Sequence, residues 1–193
     1  MQSEQEKLKR SGLYEWVQTL VCSVLAAVVL LTFVVRVIVV DGESMRETLQ
    51  HQDILLTLCD PLCRSYEAGD IVVLSKETFE GGAPIIKRVV AVEGQTVDID
   101  FDAGIVFVDG EALQEDYIRE PTWTPEGLKF PVTIPEGHVF VLGDNRNHSS
   151  DSRHADLGPI DERMILGKAL FLILPGETAG TGEREWSRIG PIE

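Results

Sequence analysis

The chain has 193 residues, enough for one domain of ordinary size, or for one domain with an anchor. Its 32 acidic against 17 basic side chains leave a formal charge of -15, which argues against nucleic acid as a partner. Lys7, Lys9 and Arg10 offset Glu4, Glu6 and Glu15 near the start, so the surplus belongs to the rest of the chain and reads as a solvated, self-repelling surface.

In chain order, the chain opens with a polar tail, Met1 to Ser11. From Val17 to Val35 no side chain is charged, and as a helix this run spans about 28 Å, close to the hydrocarbon thickness of a bilayer. Tyr14 and Trp16 suit the headgroup region at its entrance, and Arg36 caps its exit. A cleaved secretory signal would be shorter and followed by a small-x-small site, which is missing. A buried helix of a soluble core would need a polar face and a helical partner. Residues 17–36 are therefore expected to be a single transmembrane anchor. Lys7, Lys9 and Arg10 place residues 1–16 in the cytoplasm and residues 37–193 outside.

Beyond the anchor the periodicity changes. Short runs rich in Val, Ile and Leu recur at 37–40, 53–58, 70–74, 84–92, 96–100, 104–108, 139–142 and 165–174, separated by Gly, Pro and Asp. That pattern predicts a mainly β domain. Asp109-Gly110 between strand residues is the strongest hairpin signal. The proline-rich stretch 115–136 reads as extended or loop-like, and the polar tail after Pro175 as tethered by Trp186 and Ile189. Of three cysteines, Cys22 falls in the anchor. Cys59 and Cys63 flank a turn; without neighbouring histidines they cannot close a zinc site, and a local disulfide stays open.

Three segments carry chemistry. In Pro84–Val92, alternation puts Ile85, Lys87, Val89 and Ala91 on one face and Ile86, Arg88, Val90 and Val92 on the other. Arginine stays charged wherever it sits, whereas a buried lysine can give up its proton and become a general base. A neutral lysine beside a serine is a known variant of the serine triad. An edge-strand lysine in water explains the same residue equally well. Ser44 is ambiguous too: Gly42-Glu43-Ser44-Met45-Arg46 lacks the last glycine of a nucleophile elbow. The run Gly143–Arg153 has no apolar side chain, and its hydroxyl, acidic and arginine groups interleave as in a fixed polar network.

Ser44-Met45 with Thr48-Leu49, then Gly69–Val73, then Lys87–Val90, then Gly143-Asp-Asn-Arg with Ser149-x-Asp-Ser-Arg153, in this order after an anchor, resemble the motif boxes of bacterial type I signal peptidases in their single-anchor, Gram-positive or cyanobacterial form. The resemblance runs from Val17 to Ile189. It implies a signal-peptidase-type antiparallel β catalytic domain and a Ser-Lys endopeptidase that removes signal peptides after small residues, commonly Ala-x-Ala. By position Ser44 matches the nucleophile, Lys87 the general base and Ser149 the hydroxyl that orients the lysine. Asp151 and Arg153 match a supporting ion pair, with Asp144 and Arg146 in the same network. Val40, Met45, Leu49, Ile85 and Ile86 stand where substrate-binding residues are expected, the substrate adding as a strand. Expected partners are signal peptides of secreted preproteins, the lipid bilayer and the secretion translocon, with no nucleic acid, metal or cofactor.

Two positions depart from the family pattern. Glu47 replaces a usual proline, which is expected to loosen the turn after Ser44. Gly42 stands where two-span members carry a serine that helps the oxyanion hole, leaving the Ser44 amide and a second backbone donor such as that of Gly42. Competing readings are a self-cleaving Ser-Lys repressor of the SOS type and the reticulum peptidase, with histidine in place of Lys87. Others are a Ser-His-Asp site using His148 or His154, and a tethered β-domain that only binds peptides. Asn147-His148-Ser149 is a formal glycosylation sequon lying inside the polar loop.

Overall fold

The structure is a computed structural model and describes residues 2–63, 65–178 and 182–192. The chain divides into two compact units, Met1–Arg36 and Val37–Glu193. In the first, helix α1 covers Gln2–Val29 and continues as a π-helical turn over Leu30–Val34. The part apolar and long enough to cross a bilayer is Tyr14–Val34. The helix starts inside the polar tail because extending an existing helix costs far less than nucleating one, and glutamate, lysine and arginine are good helix formers.

The remaining chain is mainly β and antiparallel. Its strands are β1 (Val35–Val39), β2 (Ile54–Cys59), β3 (Ile71–Leu74), β4 (Ile85–Ala91), β5 (Thr96–Asp100), β6 (Ile105–Val108), β7 (Glu111–Ala112), β8 (Val132–Thr133), β9 (His138–Leu142), β10 (Ile160–Asp161), β11 (Ile165–Leu174) and β12 (Gly190–Pro191). The larger sheet has the order β1-β2-β11-β3-β4-β9-β10, with β12 beside β11, and the smaller the order β7-β6-β5-β8. Every apolar run expected to be a strand is one, within a residue or two at its ends. The two-residue strands β7, β8, β10 and β12 are too short to carry a period.

Alternation along β3 and β4 divides the core. Val72, Leu74 and Val89 join Val139, Val141 and Ile160 on one face. Ile71, Val73 and Ile86 join Val40, Met45, Leu49 and Leu55 on the other. A third cluster, with Val97, Ile99, Val106 and Phe140, seats the smaller sheet on the far end of β4 and β9. The predicted alternation fails at that end. A register shift between Val89 and Ala91 bulges the strand, so Ala91 joins Val90 in the third cluster while Val92 packs with the Val89 face. The bulge turns β4 from one core to the next.

Strand β4 lies between β3 and β9, pairing Lys87 with Val72 and Arg88 with both Ile71 and Leu142. It is no edge strand, so neither basic residue can be a charged edge guard. Asp109 and Gly110 both have positive φ, 53° and 84°, as a two-residue type I′ turn between β6 and β7 requires. Cys59 and Cys63 are free thiols on either side of a short 3-10 turn.

Candidate active site

Two hydrogen-bonded turns follow β1. The Arg46 amide donates to Glu43 O, and those of Thr48 and Leu49 donate to Met45 O. Met45 and Leu49, each 1% exposed, anchor these turns in the core and leave Ser44 on the open side. Glu47 adopts φ 95°, a value closed to proline, whose ring holds φ near about -65°. The turn after Ser44 therefore has a shape that proline at position 47 could not adopt.

Lys87 reaches this turn from β4. Its Nζ lies 2.7 Å from Ser44 Oγ and donates to Ile86 O at 3.1 Å. The residue is 3% exposed. Burial pushes its pKa below the ordinary lysine value, opposed by the charges of Asp151, Glu80 and Glu126. Those carboxylates act through space: no carboxylate among the described residues accepts a hydrogen bond from Nζ.

The polar run after β9 is buried and internally satisfied. Asp151 and Arg153, both fully buried, form a two-pronged pair through Nε and Nη2 at 2.8 and 2.9 Å. Arg153 also donates to the carbonyls of Thr124, Arg146 and Ser149. The Ser149 hydroxyl donates to Asp151 Oδ2 at 3.0 Å, and the same oxygen takes the Gly143 amide. Ser149 lines the cleft together with Lys87. A Cβ at Gly143 would collide with the Ser149 hydroxyl and the Ser44 carbonyl oxygen, so only glycine lets the two segments meet.

Asp144 and Arg146 join this region to separate partners, not to each other. Asp144 takes two bonds from Arg88, at 3.0 and 2.9 Å, and one from the Thr48 hydroxyl. Arg146 pairs with Glu115 and also donates to Thr122 Oγ1 and Gly143 O. Sequence reading missed Thr48 as a partner of Asp144, along with Glu115, Glu126 and Asn145. A buried arginine demands a carboxylate, but nothing in spacing says which one.

A cleft of about 520 Å³ opens beside Ser44 and Lys87. Val40 to Met45 line one part, Ala83 to Lys87 another, and Glu80, Thr124, Glu126 and Asn147 to Ser150 complete it. Of the residues expected to bind substrate, Val40, Met45, Ile85 and Ile86 line the cleft. Leu49 does not; it is packed in the core with Val73 and Ala169. His148 lines the cleft too, but Ser44 Oγ meets Lys87 rather than an imidazole. His154 lies outside it, edge-on against Phe79. Asn147 is occupied as a clamp, its Oδ1 accepting from the Trp123 and Thr124 amides and its Nδ2 donating to Pro121 O. The Gly42 amide, a possible oxyanion donor by sequence, instead donates to His51 Nδ1 at 3.2 Å.

Comparison with known proteins identifies a family. Residues 13–174 match the family model described as signal peptidase, peptidase S26. Signal peptidase I of Bacillus licheniformis is 31% identical across 91% of this chain and 96% of its own. A probable signal peptidase I-1 of Synechocystis sp. (strain ATCC 27184 / PCC 6803 / Kazusa) is 36% identical across 86% and 85%. A crystal structure of a signal peptidase I from Enterococcus faecalis V583 shares 29% identity, covering 54% of this chain and 97% of that one, at TM-score 0.44. With a family match over most of its length, an apolar N-terminal helix and a serine facing a buried lysine, the chain belongs to the signal peptidase family, peptidase S26, and is a serine peptidase.

Proposed function

We propose that this protein is a membrane-anchored endopeptidase that removes signal peptides from exported preproteins, with Ser44 as nucleophile and Lys87 as general base. Residues 1–16 are its cytoplasmic tail, 17–36 its anchor and 37–193 its extracytoplasmic catalytic domain, acting on chains delivered by the secretion translocon. The observation that carries the reading is the 2.7 Å approach of Ser44 Oγ to an amine that burial drives toward neutrality.

The chemistry follows from that contact. Neutral Lys87 takes the Ser44 hydroxyl proton as Oγ attacks the scissile carbonyl, and the carbonyl oxygen becomes an oxyanion. Protonated Lys87 then gives its proton to the departing amine, the C–N bond breaks, and an ester on Ser44 remains. Water, deprotonated by the Lys87 amine, attacks the ester; the acyl C–Oγ bond breaks, Lys87 returns the proton to Ser44 Oγ, and the signal peptide leaves as its carboxylate. Asp151 takes the Ser149 hydroxyl at 3.0 Å and holds Ser149 in the cleft wall with Lys87, so the hydroxyl expected to orient the amine is turned to the carboxylate instead. An extended substrate laid between 40–43 and 83–86 would send alternate side chains to the walls of Val40, Met45, Ile85 and Ile86, the small side chains of an Ala-x-Ala end among them.

The test is cleavage of a preprotein ending in Ala-x-Ala by the full chain in detergent or lipid. Separate Ser44→Ala and Lys87→Ala variants should lose processing by at least about a thousandfold while melting cooperatively. Substantial processing by either would end the dyad assignment. Substrate binding without turnover in the parent would favour a tethered peptide-binding domain instead.

A further inference from the structure

Asn145 is 1% exposed and lies outside the cleft, yet it holds two successive carbonyls of the nucleophile turn. Its side-chain Nδ2 donates to Glu43 O at 3.0 Å, and its backbone N–H donates to Ser44 O at 3.0 Å. A trans peptide unit is planar, with its N–H directed opposite to its C=O. Fixing the Glu43 carbonyl therefore aims the Ser44 amide away from Asn145, and fixing the Ser44 carbonyl does the same for the Met45 amide. Glu43, Ser44 and Met45 all line the cleft, and Asn145 does not. Neither the Ser44 nor the Met45 amide donates a hydrogen bond to any described residue. The Gly42 amide is occupied by His51.

A second observation fixes which way round the carboxamide lies. Asn145 Oδ1 is buried without a hydrogen-bond partner among the described residues. Buried carboxamides ordinarily satisfy both ends. Turning the amide over would set Oδ1 against Glu43 O, so the side chain is committed to donating there and its oxygen goes unpaired.

We propose that Asn145 is the positioning residue of the oxyanion site, aiming the Ser44 and Met45 amides at the oxygen that becomes negative during acyl transfer. The inference rests on Ser44 being the nucleophile, and it replaces Gly42 with Met45 as the second donor. Preset donors of this kind act on the transition state and not on the bound substrate. Asn145 works through the turn and touches neither substrate nor Lys87.

The experiment compares Asn145→Ala, which deletes the donor, with Asn145→Asp, which keeps the shape and replaces the donor by an acceptor. The full chain is assayed in detergent. kcat should fall about tenfold to a hundredfold, less than the roughly hundred- to thousandfold loss on deleting a donor outright. KM and the pH midpoint of the activity profile should stay in place. A peptide aldehyde ending in alanine, which adds to Ser44 Oγ as a tetrahedral adduct, should weaken by the same factor as kcat. A kcat within about twofold of the parent in both variants, or a fall in kcat with unchanged aldehyde affinity, overturns the proposal. If both variants fail to fold, the parent decides. With ¹⁵N-labelled protein, aldehyde binding should shift the Ser44 and Met45 amide protons downfield and leave Gly42 in place; movement of Gly42 alone overturns it. Full activity in Ser44→Ala would instead remove the underlying reading, whatever Asn145 does.

Discussion

Lys87 and Arg88 are consecutive on β4 and almost equally buried, at 3% and 2% exposure, but the two faces of the strand treat them in opposite ways. Arg88 is compensated: Asp144 grips it with both oxygens, Gly69 O and the Thr48 hydroxyl take further bonds, and the Tyr117 ring covers it at 4.1 Å. Lys87 has one hydroxyl and one carbonyl within reach, with its nearest acidic influences acting through space. A buried cation given a counter-charge is a strut. A buried cation denied one holds its proton less tightly, and a neutral amine can be a base. The chemical identity of each residue suits its face, because guanidinium holds its proton in any surroundings and ammonium does not.

The sharpest way to break this contrast is Lys87→Arg, which puts a permanent charge on the uncompensated face. Cleavage of a preprotein should fall by at least about a thousandfold at every pH, because no base remains. Retained activity would show that charge state at 87 is irrelevant. Arg88→Met attacks the other face, leaving Asp144 buried without its cation. Urea unfolding should report a loss of about 3–5 kcal/mol, and a loss under 1 kcal/mol would make Arg88 dispensable as a strut.

Lys87→Met removes the buried amine and should raise the melting temperature by a few degrees near about pH 7. The folded pKa of Lys87 is depressed, so between it and the unfolded value of about 10.4 the unfolded chain holds a proton that the folded chain lacks. Parent stability therefore rises with pH across that window, and below it the full cost of the buried ammonium applies. The gap between Lys87→Met and parent should close as pH climbs through the window; a constant gap would point to packing alone. The smallest effect belongs to Glu126→Gln. Glu126 favours protonated Lys87, so its neutralisation should move the acid limb of the activity profile to lower pH, by less than about one unit. A shift to higher pH would contradict the electrostatic reading.

The same strand shows how far local pattern reaches. Its apolar run, its length and the opposite placement of Lys87 and Arg88 were legible, because side-chain direction alternates in any strand. The bulge at Val89–Ala91 was not, since it depends on how β4 and β9 share two cores. The motif spacing singled out Ser44, Lys87, Ser149, Asp151 and Arg153 as candidates. It put Asp144 and Arg146 in the network of Asp151 and Arg153 without naming their partners; the fold gives the Asp144 carboxylate to Arg88 and the Arg146 guanidinium to Glu115. Leu49, placed by its motif near the substrate, fills the core because the turns after Ser44 direct it inward.

What the residues determine locally is the apolar helix, the run of strands, the Asp109-Gly110 hairpin and the kinds of groups held in reserve. Each depends on near neighbours, through period, turn geometry or side-chain chemistry. Whether Lys87 lies at an edge or inside, which carboxylate meets which arginine, and which amides stay open beside Ser44 depend on segments far apart in the chain. Asn145 lies 102 residues from the Glu43 carbonyl it holds. Burial and partner choice are properties of the assembled sheets, and they decide which buried cation has a counter-charge and which has none.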